Sequence, residues 1–525
     1  MEKFSSFIQK AFGISALFLV LGLAFGFEYS LNLLGYFLPS STLSAVNARS
    51  AHISLMLYGF VPLMLSFLPF VLMEKENIHS EKGLEKLRVY FTLWCVFLIF
   101  MTISLLMGVH RGLAFYDFAY ELNFILAFSG LFYILALYDY IKVYKVIPLW
   151  IKVSLYLVIA SPIALLVLMN PVIGQVEKTV VGPHGDNTLG MSYTLIPIFY
   201  LLIKLHAKES FVAKYHAMWI IPLVGYIASV AHRIFIGELS YNQEWFFQYL
   251  TLCFVPLLLK WLKDANITFQ NSPSLIIAVY AFLFVDIEGN ILFIPSIRWL
   301  FHRNDLVVAH AHIAMGVGIF FMAMAVVSPY LKKLNERSFS LFYTLGFTLM
   351  LIALSMAGLM EAGFIQTDIH LLWTIRMLCG LFIILVTMGF FYPELGWRLE
   401  KLNALKLYHL AGFASDALGG IFLFAFAATL YPLLGFGFEG KYEYVVFAFM
   451  TTTGIIHLFA LMHPLHALLL AKISAFNRIA VSSMFFSLYL AHQLGVEAMM
   501  IAVYDLVFAS IYLIFASKLQ RSAYV

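Results

Sequence analysis

The sequence predicts an all-α integral membrane protein, and three observations support this fold class. Hydrophobic residues make up 62% of the chain and charged residues only 11%, and the mean hydropathy of +0.91 exceeds that of soluble domains. The apolar residues form continuous runs of about 20, the length of a membrane-spanning helix, whereas strands of a membrane barrel would alternate in polarity. Basic residues are concentrated in alternate loops, a bias typical of cytoplasmic loops.

The apolar runs predict spans along the whole chain. They lie near residues 11–35, 46–73, 88–108, 118–141, 148–169, 187–205, 216–237, 246–263, 274–295, 305–329, 339–363, 370–393, 409–434, 443–471 and 477–517. The last run is long enough for one broken helix or two short helices, and we expect two. The first run follows MEKFSSFIQK without a small-residue cleavage site, so we expect a retained span and not a signal peptide.

The loop charges give this layout an orientation. One set of alternate loops carries Lys75, Lys82, Lys86, Arg88, Lys142, Lys145, Lys204, Lys208, Lys214, Lys260, Lys263, Lys332, Lys333, Arg337, Arg398, Lys401 and Lys406. The opposite loops carry mainly Arg49, Arg111, Lys178, Arg233, Arg298, Arg303 and Lys441. This asymmetry predicts a cytoplasmic N-terminus. The net charge of +4 does not indicate a nucleic-acid partner, and we expect membrane lipid and no nucleic acid around the chain.

Three histidines lie at one depth of the predicted bundle: His52 in the second span, and His310 and His312 in the tenth. Imidazoles inside a membrane are costly unless a partner binds them. Positions i and i+2 of a helix point to nearly opposite sides, so His310 and His312 cannot share one metal. The three rings match two haems, one held on both faces by His52 and His312 and one held on a single face by His310. Arg49 and Arg303 are the predicted partners of the haem propionates.

At these residues the sequence resembles the catalytic subunit of the haem-copper oxygen reductase and nitric oxide reductase superfamily, closest to its cbb-type branch. RSAHIS at 49–54 is similar to the low-spin haem motif of that branch. FHRNDLVVAHAH at 301–312 is similar to the run around both haem ligands, and His302 and Asp305 also match it. IEGN at 287–290 resembles the segment with a glutamate near the active site. MAGLMEAG at 356–363 and WTIRMLCG at 373–380 are similar to the last two spans.

The resemblance implies a twelve-helix haem-binding catalytic core in residues 1–395, followed by two to four additional transmembrane helices of unknown role in residues 396–525. It implies two haems, expected to be of b type, one low-spin and one high-spin. It also implies a bacterial or archaeal cytoplasmic membrane, a small gas as substrate, and a second subunit that donates electrons through cytochrome c or dinuclear copper.

The sequence departs from the family at the second metal, which family members hold with one histidine from the sixth span and an adjacent pair from the seventh. Here GDNTLGM at 185–191 has Asp186 in place of the first histidine. YIASVAHR at 226–233 has a single histidine, His232, followed by Arg233. A carboxylate beside an imidazole suits iron better than copper. We therefore expect a non-haem iron on Asp186 and His232, with copper as the alternative.

The substrate depends on the same region. Carboxylate ligation of non-haem iron is the mark of nitric oxide reductases in this family, and Glu288 or Glu238 are candidates to complete the ligand shell. Tyr226, however, stands six residues before His232, as a catalytic tyrosine does in cbb-type oxidases. The first hypothesis is therefore nitric oxide reduction, with Glu288 near the reacting gas. The second is dioxygen reduction with Tyr226 in a catalytic role, and the third is a non-catalytic haem protein that passes electrons.

The resemblance stops near residue 400, and the chain beyond it carries further histidines in IIHLFALMHPLHALLLAK. His463 and His466 are spaced i and i+3, a spacing that puts both on one helix face. Pro464 between them indicates a kink. We expect these residues and His457 to have a structural or subunit-contact role.

Overall fold

The structure is a computed structural model that describes residues 2–36, 44–112, 116–152, 154–156, 186–208, 210–301, 304–395, 404–433, 437–491 and 493–523. All regular secondary structure in these ranges is helical. Within them, 14 helices are long and apolar enough to cross a membrane, which confirms the predicted fold class. The predicted span near residues 148–169 lies mostly outside the described residues.

The chain divides into two compact units, of which the first comprises residues 1–36 and 45–396. Its helices are α1 (Glu2–Leu33), α2 (Ala45–Tyr58), α3 (Phe60–Leu65), α4 (Leu68–Lys75), α5 (Glu81–Leu106), α6 (Asn123–Ile141), α7 (Asp186–His206), α8 (Ala217–Phe235), α9 (Tyr241–Tyr249), α10 (Phe254–Asp264), α11 (Pro273–Leu292), α12 (Arg298–Phe301), α13 (Asp305–Ala311), α14 (Phe320–Val327), α15 (Glu336–Glu361) and α16 (Ile369–Phe391).

Side-chain caps fix where several of these helices begin. Ser80 accepts a hydrogen bond from the Gly83 amide at the start of α5, and Ser240 forms a capping box with Gln243 at the start of α9. Asn304 caps α13 by accepting from the Leu306 amide. Because its first turn is fixed in this way, α13 begins with Asp305 held at the edge of the site described below.

The tenth predicted span is one continuous helix of three segments. A π-helical segment, His312–Ile319, connects α13 to α14. Every residue of α14 is buried, and the ring of Phe320 stacks on Tyr343 at 4.5 Å and lies 5.5 Å from Phe60. This aromatic cluster is the core of the first unit, and it holds the end of the span that follows the histidines.

The second unit comprises residues 37–44 and 397–525 and contains four long helical stretches among the described residues. They are α17 (Ala404–Gly412) continued by a π segment (Phe413–Leu418) and α18 (Gly419–Leu433), then α19 (Tyr442–Met462), α20 (Ala467–Leu490) and α21 (Val496–Ala523).

The predicted single span at 443–471 is wrong. The helix ends at Met462, a 3-10 turn occupies Pro464–His466, and α20 begins at Ala467. Proline lacks an amide proton and disfavours a helical residue before it, which ends α19 here. His463 and His466 therefore do not share one helix face, and both are exposed. The end of the chain forms two helices, as expected, but these are longer than predicted and begin earlier.

Candidate functional site

The rings of His52, on α2, and His312, the first residue of the π segment, lie next to each other. Their centroids are 6.2 Å apart and their planes differ by 22°. The Nδ1 atom of His52 lies 2.8 Å from the Gly22 carbonyl oxygen, and that of His312 lies 2.8 Å from the Val308 carbonyl oxygen. Because a carbonyl only accepts, each Nδ1 carries the proton and each Nε2 keeps its lone pair.

This pair fits a shared haem iron. A histidine ligand usually donates its second ring N–H to a carbonyl or carboxylate, as both rings do here. Two imidazoles that bind one metal ion through Nε2 at about 2 Å have ring centroids about 6 Å apart. The observed 6.2 Å agrees with this separation. His52 and His312 are thus suited to hold a six-coordinate haem.

His310 turns to a different partner, as the helix geometry predicts. Its Nδ1 lies 3.2 Å from Glu288 Oε2 of α11, so the carboxylate accepts the ring proton and Nε2 remains available. Gly289 makes room for this contact, because a Cβ there would lie 3.1 Å from His310 Cε1. Glu288 therefore lies behind His310, on the side away from the ligating nitrogen, and not at the face where a gas would bind.

Arg376 is a site residue to which the sequence analysis assigned no role. It is buried, 8% exposed, and its guanidinium is 3.9 Å from the Asp305 carboxylate and 5.7 Å from the Tyr29 ring. Trp373 Nε1 donates to the other Asp305 oxygen at 3.0 Å. Asp305 thus holds Arg376 near the rings of His52 and His312, where a buried cation could pair with a haem propionate. The signal in the sequence was a lone arginine inside the apolar run at 373–380.

A second group that sequence reasoning missed is the carboxyl of Asp286, two residues before Glu288 on α11 and on nearly the opposite side of that helix. Asp286 is 4% exposed; Ser192 Oγ donates to its Oδ1 at 3.2 Å, and its Oδ2 has no hydrogen-bond partner among the described residues. Asn290 donates to Thr251 Oγ1 at 3.1 Å on the same side. No cation pairs with Asp286 in this buried polar strip, over the part of the chain that the structure describes. Its signal was the aspartate in VDIEGN, inside a span.

The predicted distal ligands lie on α7 and α8, two helices that pack against each other. The Tyr226 ring covers Gly190, where a Cβ would lie 2.6 Å from the ring. Asp186 is roughly 6 Å along α7 from Gly190, and His232 roughly 9 Å along α8 from Tyr226, both toward the same end. The two positions thus have similar depth. The backbone of Asp186 is described, but its side chain lies outside the described part of the structure.

The metal shell itself is not assembled in the described residues, where no group of three or more histidine, cysteine or acidic side chains has the geometry to hold a metal. His232 Nδ1 lies 3.2 Å from the Gly237 carbonyl oxygen. Arg233 forms ion pairs with Glu238 at 2.7 Å and Glu244 at 3.3 Å. Glu238 is exposed and held by that arginine, so it is a poor candidate for a metal ligand.

The two predicted propionate partners, Arg303 and Arg49, differ in whether and where the structure places them. Arg303, with His302, lies outside the described residues. Arg49 is exposed on α2, three residues before His52. The buried cation near the rings of His52 and His312 is Arg376. It lies on α16, a helix from which no propionate partner was predicted.

Residues 7–368 match the family model described as Cytochrome C and Quinol oxidase polypeptide I. The chain belongs to this family. Among solved structures it is similar to a heme-copper terminal oxidase dimer determined by cryo-electron microscopy, with a TM-score of 0.51 and 10% identity over 74% of this chain and 83% of that one. At that identity the likeness shows the fold alone. No curated protein matches the chain.

Family membership confirms the predicted class of protein. Members bind haems with a distal copper or iron and are haem-dependent oxidoreductases of respiratory membranes. The chain is therefore a multi-pass membrane oxidoreductase that reduces a gas of the dioxygen or nitric oxide type. This counts against the non-catalytic hypothesis.

Proposed function

We propose that this family member reduces nitric oxide to nitrous oxide, with a non-haem iron as its distal metal. The observation that carries the proposal is the composition of the distal region, in which Asp186 replaces a histidine and His232 is followed by Arg233. Arginine provides no lone pair for a metal, and Glu238 and Glu244 hold it in ion pairs. An oxygen ligand beside one imidazole favours iron over copper.

We assign the haem-holding roles to His52 and His312 for the low-spin haem and to His310 for the high-spin haem. When bound, the haems carry electrons and the distal metal binds the gas. Glu288 orients the His310 ring by accepting its Nδ1 proton, and Arg376 offsets negative charge at the propionates. Glu288 is accordingly a positioning residue, and not the distal ligand that the sequence suggested.

Reduction of either gas consumes protons, which this proposal assigns to the Asp286 strip. Ser192 and Asp286 are buried side by side on α7 and α11, so Asp286 faces α7, the helix that carries Asp186. A carboxyl without a cation in an apolar interior favours its neutral, proton-bearing form. Asp286 is thereby suited to hold and pass a proton toward the site.

Dioxygen reduction is the alternative, and Tyr226 is the observation in its favour. Its ring lies against Gly190 at the α7–α8 contact, one turn from Asp186, which is close enough to serve a substrate there. In that case copper, and not iron, would be the distal metal.

Metal analysis of the purified protein tests both readings. Nitric oxide reduction requires two haems and one non-haem iron, and dioxygen reduction requires two haems and one copper. Asp186→Ala should remove the third metal while both haem spectra remain. Asp264→Ala is the matched control, because Asp264 pairs with Lys214, just before the start of α8 and at the end of that helix opposite to His232. Two haems without a third metal in the parent protein would contradict both readings.

Tyr226→Phe separates the substrates. It should leave nitric oxide turnover within about twofold and the metal content unchanged, since the phenol contributes nothing to the proposed reaction. Loss of dioxygen turnover by the factor of about 10² or more typical of a missing acid–base group would instead support the alternative.

The surroundings of the enzyme follow from the same proposal. We infer b-type haems, a cytoplasmic N-terminus in a bacterial or archaeal inner membrane, and a partner subunit that carries cytochrome c or dinuclear copper. The basic loops around Lys86, Lys333 and Arg337 support this orientation.

A further inference from the structure

A second pair of histidines lies in the C-terminal unit, far along the chain from the haem ligands. His409 of α17 and His457 of α19 are 1% and 0% exposed. Their Nδ1 atoms are 2.9 Å apart. His409 Nε2 lies 2.8 Å from the Ala467 carbonyl oxygen, and His457 Nε2 lies 3.0 Å from Ser474 Oγ. All four ring nitrogens of the pair therefore have a hydrogen-bond partner.

These contacts determine where the protons are. The Ala467 carbonyl only accepts, so His409 Nε2 carries a proton. A neutral His409 then has an unprotonated Nδ1, which must accept from His457 Nδ1 across the 2.9 Å contact. His457 Nε2 in turn accepts from the Ser474 hydroxyl. The neutral pair thus has one arrangement of its two ring protons.

The same geometry accommodates one more proton and excludes a second. If a proton binds His457 Nε2, the Ser474 hydroxyl rotates and accepts from it, and every other contact is kept. A further proton would fall on His409 Nδ1 and place two N–H groups against each other across 2.9 Å. The pair can therefore gain and lose a single proton without a change in the backbone.

A buried ion cluster lies next to the pair: the Arg478 guanidinium is 4.1 Å from the Phe508 ring, which lies 6.0 Å from the His457 ring. Arg478 forms ion pairs with Asp416 and, at 2.5 Å, with Asp505. Two carboxylates against one guanidinium leave one negative charge in an apolar interior, which is costly. Ser474 and Arg478 are four residues apart on α20 and so lie on one face. One proton on the histidine pair makes the whole buried cluster neutral.

The remaining ionisable groups that face the cluster are tyrosines. Tyr408 of α17 lies 5.7 Å from the His457 ring, and Tyr504 and Tyr512 of α21 lie behind it. Tyr504 Oη donates to Asp416 at 3.4 Å. Among the described residues, the charged groups that take part in these contacts are Arg478, Asp416 and Asp505, so the charge balance rests on them.

The contacts do not suit a haem or a metal ion at this pair. Both Nε2 atoms are held by Ala467 and Ser474, and both Nδ1 atoms are held by each other. Over the described residues, no third histidine, cysteine or carboxylate joins them in a metal-binding group. The ligand that this geometry accepts is a proton.

We propose that His409 and His457 form a binding site for one exchangeable proton in the C-terminal unit. Uptake forms one N–H bond on His457 Nε2 and release breaks it, and no electron moves. This site gives the additional helices a function of their own, because it lets them take up and release a proton within the membrane.

The test is nuclear magnetic resonance of the full-length protein in lipid bilayers, with histidine nitrogens labelled. The N–H···N bond between the two Nδ1 atoms gives a nitrogen–nitrogen coupling that identifies the pair among all histidines. From about pH 9 to about pH 5, where histidine titrates, the number of protonated ring nitrogens in the pair should rise from two to three. A pair that stays at two over this range, in folded protein, overturns the proposal.

Two variants probe the mechanism. Ser474→Ala removes the acceptor of the added N–H and should lower the proton affinity about tenfold, moving the midpoint about one pH unit down. Ser482→Ala is the matched control, because Ser482 is also buried on α20 and donates to the Ala502 carbonyl at 2.7 Å. Equal midpoints in the two variants contradict the assignment.

Asp505→Asn gives an independent readout if Ser474→Ala does not fold. Replacing one carboxylate by a neutral group of the same shape removes the excess negative charge, so the midpoint should again fall by about one pH unit or more. If Asp505 itself takes the proton, the histidines stay neutral in the parent protein and the proposal fails.

Discussion

The two units of this protein each bring together a pair of histidines from different helices, yet they use the ring nitrogens in opposite ways. In the first unit, backbone carbonyls hold Nδ1 of His52 and His312 and leave both Nε2 atoms free. In the second unit, the Nδ1 atoms of His409 and His457 hold each other, and protein groups hold both Nε2 atoms. The first arrangement is open to an iron ion between the rings, and the second is closed to everything but a proton.

The contrast shows that the hydrogen-bond partners of an intramembrane histidine determine whether a ring nitrogen is available to a metal ion. Both pairs lie on apolar helices, and glycines give both of them room. What differs is which nitrogen a carbonyl engages, and this detail assigns the tautomer and the lone pair that remains.

The largest expected effect is that of His312→Ala. Removing one of the two ring ligands should reduce the haem content from two to one per chain and abolish turnover, because the low-spin haem loses an axial ligand. Pyridine haemochrome quantification and reduced-minus-oxidised spectra measure this. His409→Ala removes an imidazole of the other pair, which is 1% exposed, and should leave the haem content unchanged. Equal losses of haem in both variants would contradict the distinction between the pairs.

Glu288→Gln should have the next largest effect. An amide cannot accept the His310 proton as strongly as a carboxylate, and loss of such a partner typically costs about 10–100-fold in activity or metal affinity. We expect both haems to be retained, with a shifted iron–histidine stretch in resonance Raman spectra. Glu238→Gln, at the exposed ion pair with Arg233, is the control. An unshifted stretch would mean that Glu288 does not touch the ligand in the loaded enzyme.

Asp286→Asn tests the supply of protons and should leave the cofactor content unchanged. The amide keeps the contact with Ser192 but carries no exchangeable carboxyl proton, so turnover should fall about tenfold or more while haem and metal content stay constant. Stopped-flow measurements with a pH dye would show slower proton uptake. Normal uptake with normal turnover would remove the buried strip on α11 from the proton route.

The smallest effects come from paired glycine substitutions. A Cβ at Gly26 would lie 2.6 Å from His52 Nδ1, and a Cβ at Gly412 would lie 2.5 Å from His457 Nε2. Each alanine should cost about 1–3 kcal/mol through overpacking. Gly26→Ala should shift the low-spin haem spectrum and leave the nitrogen coupling of the second pair intact. Gly412→Ala should do the reverse, and a variant that disturbs both signals would show that the two pairs are not independent.

That His52 and His312 meet was predictable, because imidazoles at one depth of a membrane protein are costly unless a partner binds them. Their ring orientation was not, since it depends on carbonyls of Gly22 and Val308 that any residue type would provide. Glu288 was expected at the depth of His310 and does contact it. Depth along a helix does not predict whether the carboxylate lies on the Nδ1 or the Nε2 side of the ring. The break at Pro464 was indicated in the sequence, although the apolar run continued through it.

His409 escaped prediction for a related reason. Its partner His457 is 48 residues away on another helix, so neither residue forms a local motif. Arg376 is a lone charge inside an apolar run, which the sequence shows. Its contact with Asp305 joins α16 to α13 and is visible only in the packed helices. Contacts between distant helices thus carried most of what sequence reasoning could not reach.

The π segment at His312–Ile319 separates two tasks that one helix must perform. A π turn holds one residue more than an α turn, so it rotates everything after it by about 100° relative to an uninterrupted helix. The orientation of His310, before the segment, and of His312, its first residue, is therefore independent of the packing of Phe320 and Phe321 after it. Deleting a single residue within the π segment should leave one continuous span and the packing of Phe320 and Phe321. It should rotate His310 and His312 away from their present neighbours.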